Sequence, residues 1–377
     1  MTPHRAIFVL LIVLAVLDDA ALAWRSHHAL PAGASLELPV FPYANGWLGA
    51  DDAFSVPLAP DKSLWLFGDT YVGSSDTKLR SQATTMIHNS IGISTCRPGK
   101  GCSMRYYWAG AGSAKPRSFF DSGRDDLWYW PLDGYREGDK LFLPLLVVRE
   151  RPGSHLGDAF GWIIAGTRWA EVTNLSAPPE RWKISVRDLT NAKLWPGASV
   201  VPYGKYLLLY TEVSEGEGKG YMTVLRVARD RLADPAARWE YIGEDGKWHA
   251  APPHGDARDV IDQPISEMSV RYHPAEREWV AISPGPEFPS PRIVARTAAS
   301  PLGPWSPPKT IFEFPEMKPG TPGYDKDTFC YATKEHVEFE QDSKMVVTYA
   351  CYSFSTPKAK ENMGIYRPQV VVLDVPK

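Results

Sequence analysis

GADDAFSVPLAPDKSLWLFGD, residues Gly49–Asp69, is the stretch on which the fold turns. A polar, glycine-bearing start leads into a short strand, a Pro60-Asp61 turn and an apolar second strand. The phrase returns as WYWPLDGYREGDKLFLPLLVVRE (Trp128–Glu150), WPGASVVPYGKYLLLYTE (Trp195–Glu212), SEMSVRYHPAEREWVAIS (Ser266–Ser283) and FCYATKEHVEFEQDSKMVVTYAC (Phe329–Cys351). The starts lie 63 to 79 residues apart. A period this long, with hairpins as its unit, is the signature of blades packed around an axis. Five units predict an all-β fold, a five-bladed β-propeller. In such a ring the first strand of each blade directs its start at one shared central pocket, and functional residues are sought there.

Between the phrases run further short apolar segments bounded by Gly, Pro, Asp or Asn, which is how strands read. Trp182–Asp188 and Thr223–Arg229 are expected as outer strands, and Pro368–Val375 as one more. Leu36–Val40 is expected to pair into the last blade and close the ring, because a propeller protects its edges. No linker divides the chain, and long amphipathic helical periodicity is absent.

At the N-terminus His4 and Arg5 precede an apolar run, Ala6–Leu17, and Ala21-Leu22-Ala23 forms an A-x-A cleavage signal. Residues 1–23 therefore read as a signal peptide, and 24–377 as a single propeller domain that is secreted or periplasmic. The run is too short to span a bilayer comfortably, and no second one follows. Removing Arg5, Asp18 and Asp19 takes the formal net charge from −3 to −2. The balance of 41 basic against 44 acidic residues argues against nucleic acid as a partner.

Four cysteines in an exported chain suggest two disulfides. Cys96 and Cys102 close CRPGKGC, whose Pro and Gly suit a turn. If the fifth hairpin turns between Glu340 and Gln341, Cys330 and Cys351 fall opposite each other, within bonding reach. The competing reading is four buried thiols.

The strongest chemical signal is in the first phrase. Counting from its turn places Asp52 opposite Asp69, with Asp51 diagonal. Alternation of side chains then lets only one of Asp51 and Asp52 face the axis beside Asp69. Paired carboxylates at such separations are what glycoside hydrolysis uses, one as acid and one as base or nucleophile. The alternative is that these aspartates open and cap turns. The same counting sets Glu212 opposite Trp195 in the third phrase. Glu267 begins the fourth inner strand, Asp133 follows Trp130 in the second, and His336 lies in the fifth. A ring of acids and aromatics around one axis suits sugars, since aromatic faces cover C–H patches and carboxylates take hydroxyl hydrogens. Trp47, Trp130 and Trp195 read equally well as core. His88 and Asn89 precede the strand IGIST, where a histidine also serves structural roles. No metal-ligand spacing, phosphate loop, Rossmann fingerprint or nucleophile elbow occurs, so neither cofactor nor metal is expected. Asn174-Leu175-Ser176 is a glycosylation sequon in a eukaryotic host.

G-W-L-G-A-D-D-A-F-S-V-P-L (46–58), L-W-L-F-G-D-T (64–70), H-N-S-I (88–91), W-P-L-D-G (130–134) and E-M-S-V-R-Y (267–272) together resemble a five-bladed propeller family first known as a domain of unknown function, with endo-D-arabinanases among its members. More distantly the chain is similar to the arabinanase, β-fructosidase and levansucrase propellers. The resemblance covers Trp47 to about Pro368. It implies that the catalytic carboxylates sit in the two first-blade motifs, at Asp51 and Asp69. Blade register is expected to bring Glu267 to the same pocket as a further catalytic residue, with His88, Trp130 and Glu212 nearby. It implies a polysaccharide substrate containing furanoside sugars. The other function class compatible with the sequence is a non-catalytic propeller that binds glycan or protein. The oligomeric state is not legible.

Overall fold

The five phrases become five antiparallel sheets in a computed structural model that describes residues 37–153, 161–216, 218–253, 255–341 and 343–376. The first sheet holds β1 (Trp47–Ala59), β2 (Lys62–Val72), β3 (Thr85–Ile87), β4 (Ser90–Arg97) and β5 (Gly101–Tyr107). The second holds β6 (Trp128–Pro131), β7 (Tyr135–Glu137), β8 (Lys140–Glu150), β9 (Trp162–Thr173) and β10 (Lys183–Asn191). The third comprises β11 (Leu194–Tyr203), β12 (Tyr206–Gly216), β13 (Lys219–Ala228), β14 (Glu240–Ile242) and β15 (Trp248–Ala250). The fourth comprises β16 (Ser269–His273), β17 (Glu278–Pro284), β18 (Arg292–Ala298) and β19 (Lys309–Glu313). The fifth comprises β20 (Thr328–Glu335), β21 (Lys344–Ser353) and β22 (Gln369–Asp374). The fold is the five-bladed β-propeller the repeat predicts. Two of the expected outer segments are the strands β10 and β22, and Thr223–Arg229 falls largely on β13.

Each blade buries both faces against its neighbours, which is why the central strands read as continuous apolar runs. One core joins Leu64 and Leu66 of the first blade to Leu141, Leu143 and Val172 of the second. Others join Phe142 and Trp169 to Leu207 and Leu209, Tyr210 and Val224 to Val270 and Ala281, and Val280 and Ile293 to Met345 and Val347. The fifth core closes the ring, joining Trp65 and Phe67 of the first blade to Phe339 and Val346 of the last.

Closure differs from the expectation for Leu36–Val40. Leu36 and residues 1–23, expected as a signal segment, lie outside the described residues, and residues 37–40 form no strand. Pro39 brings no N–H to a ladder. Phe41 instead wedges edge-on against Trp65 at 4.8 Å, inside the closing core. The side chain of Arg80, 1% exposed, then clamps the C-terminal segment down. It donates to the carbonyls of Leu48, Ala359, Asn362 and Ile365, joining β1 to the six-residue helix Thr356–Glu361 and the residues just after it. Both predicted disulfides are formed, and Cys330 pairs with Cys351 in register across β20 and β21. Among the described residues no helix is long and apolar enough to cross a membrane.

Candidate active site

The site begins with an irregular β1. The turn falls at 60–61 as counted, with Ala59 opposite Lys62, but bulges then break the register. Ala50 pairs with Thr70 and Asp52 with Phe67, so Asp52 does not face Asp69 as even counting predicted. Asp52 and Ala53 adopt φ of +59° and +113°, in the region that L side chains rarely enter. A bulge of this kind re-aims side chains beside functional sites. The expected alternation is lost, and both Asp51 and Asp52 turn toward the axis. Gly68 on β2 is the reason they fit. A Cβ there would meet Asp51 Oδ1 at 2.5 Å and Asp52 Oδ2 at 2.8 Å, so the two carboxylates close over the same bare backbone.

Three other parts of the ring converge on this point. From β20, the Tyr331 hydroxyl donates to Asp51 Oδ2 at 2.9 Å. Glu267, just before β16, accepts the Ala332 N–H at 2.6 Å. Tyr366, on the segment clamped by Arg80, lies 3.5 Å from Asp51 Oδ2 and donates to the Asp69 carbonyl at 3.0 Å. Its approach requires glycine at position 49, where a Cβ would sit 2.1 Å from the Tyr366 carbonyl oxygen. Asp69 Oδ1 receives the Trp130 Nε1–H at 2.9 Å and lies 3.1 Å from His88 Nδ1. With 19% of its side chain exposed, Asp69 opens to solvent.

Crowding sets the protonation. Burial, and then the Asp52 and Asp69 charges, push the Asp51 carboxyl well above the carboxylate range, against the pull of the Tyr331 hydrogen bond. Asp51 Oδ1 is buried without a hydrogen-bond partner, as suits a group carrying its proton. Burial and Glu267 raise Asp52 to about 7. Burial and Glu267 also raise Glu212 to about 8. Glu267 is itself raised by burial, with Lys334 and the Ala332 N–H opposing. Lys334 of β20 is the counter-charge that sequence reading missed. It is 1% exposed, its Nζ has no hydrogen-bond acceptor, and it stands 3.9 Å over the Phe54 ring. Burial lowers its pKa, while Glu267, Asp52 and Asp133 hold it up. A lysine within the inner-strand stretch F-C-Y-A-T-K-E was the available signal. Tyr331 and Tyr366 offered none, because only the tertiary fold brings them to β1.

The other expected site residues divide. Glu212 pairs with Trp195 as counted. Trp195 Nε1 is spent on the Ala192 carbonyl, and its ring packs partly against the core of the first two blades. Four residues have their polar groups engaged inside the fold. Trp47 is fully buried and stacks on Tyr106 at 4.1 Å. The Asn89 amide is consumed by Phe120 and Tyr129 backbone groups. Asp133 is buried, accepting from Val200 N–H and from Arg271, and so ties the second blade to the third and fourth. His336 is fully buried between Ser55 and Thr348, with both ring nitrogens engaged. Each has the residue type of a sugar ligand, but the fold uses its polarity to satisfy buried partners. The sequon residue Asn174 donates its amide to the Arg181 carbonyl.

A five-bladed ring with a crowded acidic cluster at one end of its axis places the chain in a broad architectural class. Residues 40–373 match the family described as "Domain of unknown function (DUF5005)", and the chain belongs to it. No curated protein matches. Among solved structures, a Bacteroides ovatus protein provisionally described as a hydrolase is similar at 18% identity and a TM-score of 0.67, covering 88% of this chain and 86% of its own. A GH43_1 enzyme from Xanthomonas citri has 12% identity and a TM-score of 0.46, over 90% and 91%. An endo-arabinase from Bacteroides thetaiotaomicron has 12% identity and a TM-score of 0.45, over 90% and 98%. At these identities the likeness is one of fold.

Proposed function

We propose that the protein is a glycoside hydrolase that cleaves a furanoside-containing polysaccharide outside the cytoplasm, with Asp51 and Asp69 as its carboxyl pair. The observation that carries this reading is the asymmetry of the pair. Asp51 is enclosed, crowded by other carboxylates and left with an unpartnered oxygen, which suits a group that keeps its proton at neutral pH. Asp69 is open to solvent and fixed by Trp130 and His88. A carboxyl that keeps its proton, set beside a second carboxyl that opens to solvent, matches an acid and its partner. Asp51 protonates the leaving glycosidic oxygen, and Asp69 either activates water or attacks the anomeric carbon. Burial, then the charges of Asp52 and Asp69, and last that of Glu267, keep Asp51 protonated. The resemblance of the first-blade motifs to endo-D-arabinanases makes arabinan the first probe. The two disulfides favour an oxidising compartment, and with it the expected signal segment.

The test is release of reducing sugar from arabinans, fructans and galactans by the protein and by its Asp51→Asn and Asp69→Asn variants. Turnover on one polysaccharide should be lost in both variants while thermal unfolding is preserved. Full activity in Asp69→Asn would refute the mechanism. No turnover on any polysaccharide, with binding retained, would leave a glycan-binding propeller.

A further inference from the structure

One exposed aromatic cluster takes no part in the cores between blades. Phe288 is 72% exposed and Phe354 51% exposed. Both lean on the buried Phe329, with ring centroids 6.2 Å and 4.5 Å away. Phe329 in turn stacks on Tyr331 at 5.5 Å with 27° between planes. Tyr331 is the residue whose hydroxyl reaches Asp51. The rings therefore form a continuous ladder from the carboxylates to the surface of the fourth and fifth blades.

The opposite flank is built alike. His88 and Trp130 contact Asp69, His88 stacks on Trp128 at 4.4 Å, and Trp130 meets Trp162 edge-on at 4.8 Å. A pocket for a chain end needs aromatic faces on one side only. Faces on both sides of the carboxylates suit a chain lying across them. The surroundings of the exposed rings are polar: the Phe354 N–H bonds the Asp327 carbonyl, and Lys358 pairs with Asp325 and Asp327. Apolar faces fringed by charged hydrogen-bonding groups match a sugar ring, whereas the core of a protein interface is depleted of charge.

We infer that Phe288 and Phe354, backed by the buried Phe329, form a distal subsite for the sugar units of a polysaccharide beyond the bond being cut. The inference rests on the hydrolase reading for its orientation, but binding can be measured without cleavage. The variant is Phe288→Ala/Phe354→Ala, made in the active protein and in an Asp69→Asn background, with soluble arabinan, fructan and galactan as probes. In native gels containing polysaccharide, the Asp69→Asn protein should be retarded by at least one of the three, with the apparent Kd about tenfold weaker once both rings are removed. On the cleaved polymer KM should rise about tenfold at constant kcat, and the effect should vanish on the shortest oligosaccharide that is still cleaved. Retardation by none of the three, retardation unchanged by the substitutions, or an equal loss on short and long substrates would overturn the subsite. So would a dimer in sedimentation that the double variant dissolves, since the rings would then belong to a contact between two copies. Retardation that depends on the rings, from a wild type that cleaves nothing, would remove the hydrolase reading and keep the subsite.

Discussion

Tyr331 donates its hydroxyl hydrogen to Asp51 Oδ2 at 2.9 Å, so a residue of the last blade tunes a carboxyl of the first across the seam where the ring closes. The bond favours the ionised carboxylate and works against burial. Tyr331→Phe should therefore raise the Asp51 pKa further. If Asp51 is the acid, the alkaline limb of the kcat/KM profile moves to higher pH. The fold should lose about 1 kcal/mol, the usual net worth of one hydrogen bond. A pH–rate series gives the answer, and a limb that moves downward would exclude Asp51 as the acid.

Gly68→Ala separates the site from the fold. The added methyl would collide with Asp51 Oδ1 and Asp52 Oδ2, the mobile ends of two side chains, and with no backbone atom at comparable range. The backbone has no need to move, and alanine stabilises the chain by restricting its unfolded state, by about 0.4–1 kcal/mol. Displacing the carboxylates by roughly an ångström can cost about a hundredfold in rate. The expected outcome is a midpoint of thermal unfolding within a few degrees of wild type and turnover down by about two orders of magnitude. A variant that keeps its full rate would show that these two carboxylates are not poised over Gly68 for catalysis.

Lys334→Met removes the buried ammonium that lowers both Asp52 and Glu267. Both groups should titrate higher, Asp52 above its value of about 7. At neutral pH the cluster then carries more protons, Asp51 loses part of the like charge that raises it, and the alkaline limb of the profile moves to lower pH. Methionine nearly conserves volume, so packing against Phe54 survives. An unchanged profile would mean that Lys334 only fills space.

The blades were legible because their signal is local: alternating or apolar runs, turn residues, and cysteines a fixed distance from a turn. Cys330 and Cys351 fell into register even though a bulge between Tyr331 and Lys334 interrupts the same hairpin, because the pairing near them is regular. The first blade shows the limit. Counting from its turn assumed an even ladder, and the positive φ at Asp52 and Ala53 lies at non-glycine residues that give no warning. Residue type identified the acids but could not separate Asp69, which opens to solvent, from Asp133, which is locked by Arg271. That difference arises from packing between blades.

His273 ties the fourth blade to the fifth, with Nε2 3.1 Å from Glu335 and Nδ1 3.3 Å from Glu340. Burial alone would push the imidazole down, but the two carboxylates overcome this and hold it up at about 10. A raised folded pKa stabilises fully below the unfolded value of about 6.5, and the benefit is lost as pH rises through about 10. His273→Gln should therefore lower the unfolding temperature most near pH 6 and progressively less toward pH 10. A deficit that grows with pH would contradict the ion pair.

Glu212 acts in the opposite direction. Burial, and then Glu267, raise it to about 8, so the folded chain holds a proton that the unfolded chain releases above about 4.3. Wherever the unfolded state binds fewer protons, stability falls with pH. The penalty from Glu212 accumulates between about pH 4 and pH 8 and is level above that range. Glu212→Gln removes the titration and keeps the shape. The variant should match wild type near pH 4 and exceed it by an amount that grows to a plateau above pH 8, on the order of a few kcal/mol. Because Glu212 and Glu267 repel, relief should extend to the acidic cluster, and the pH optimum of turnover should shift as well. Thermal unfolding at intervals between pH 4 and pH 9 decides the matter. A stability difference independent of pH would mean that Glu212 is not held protonated in the native ring. A pH-dependent cost placed on the axis is what the hydrolase reading expects of a crowded acidic site.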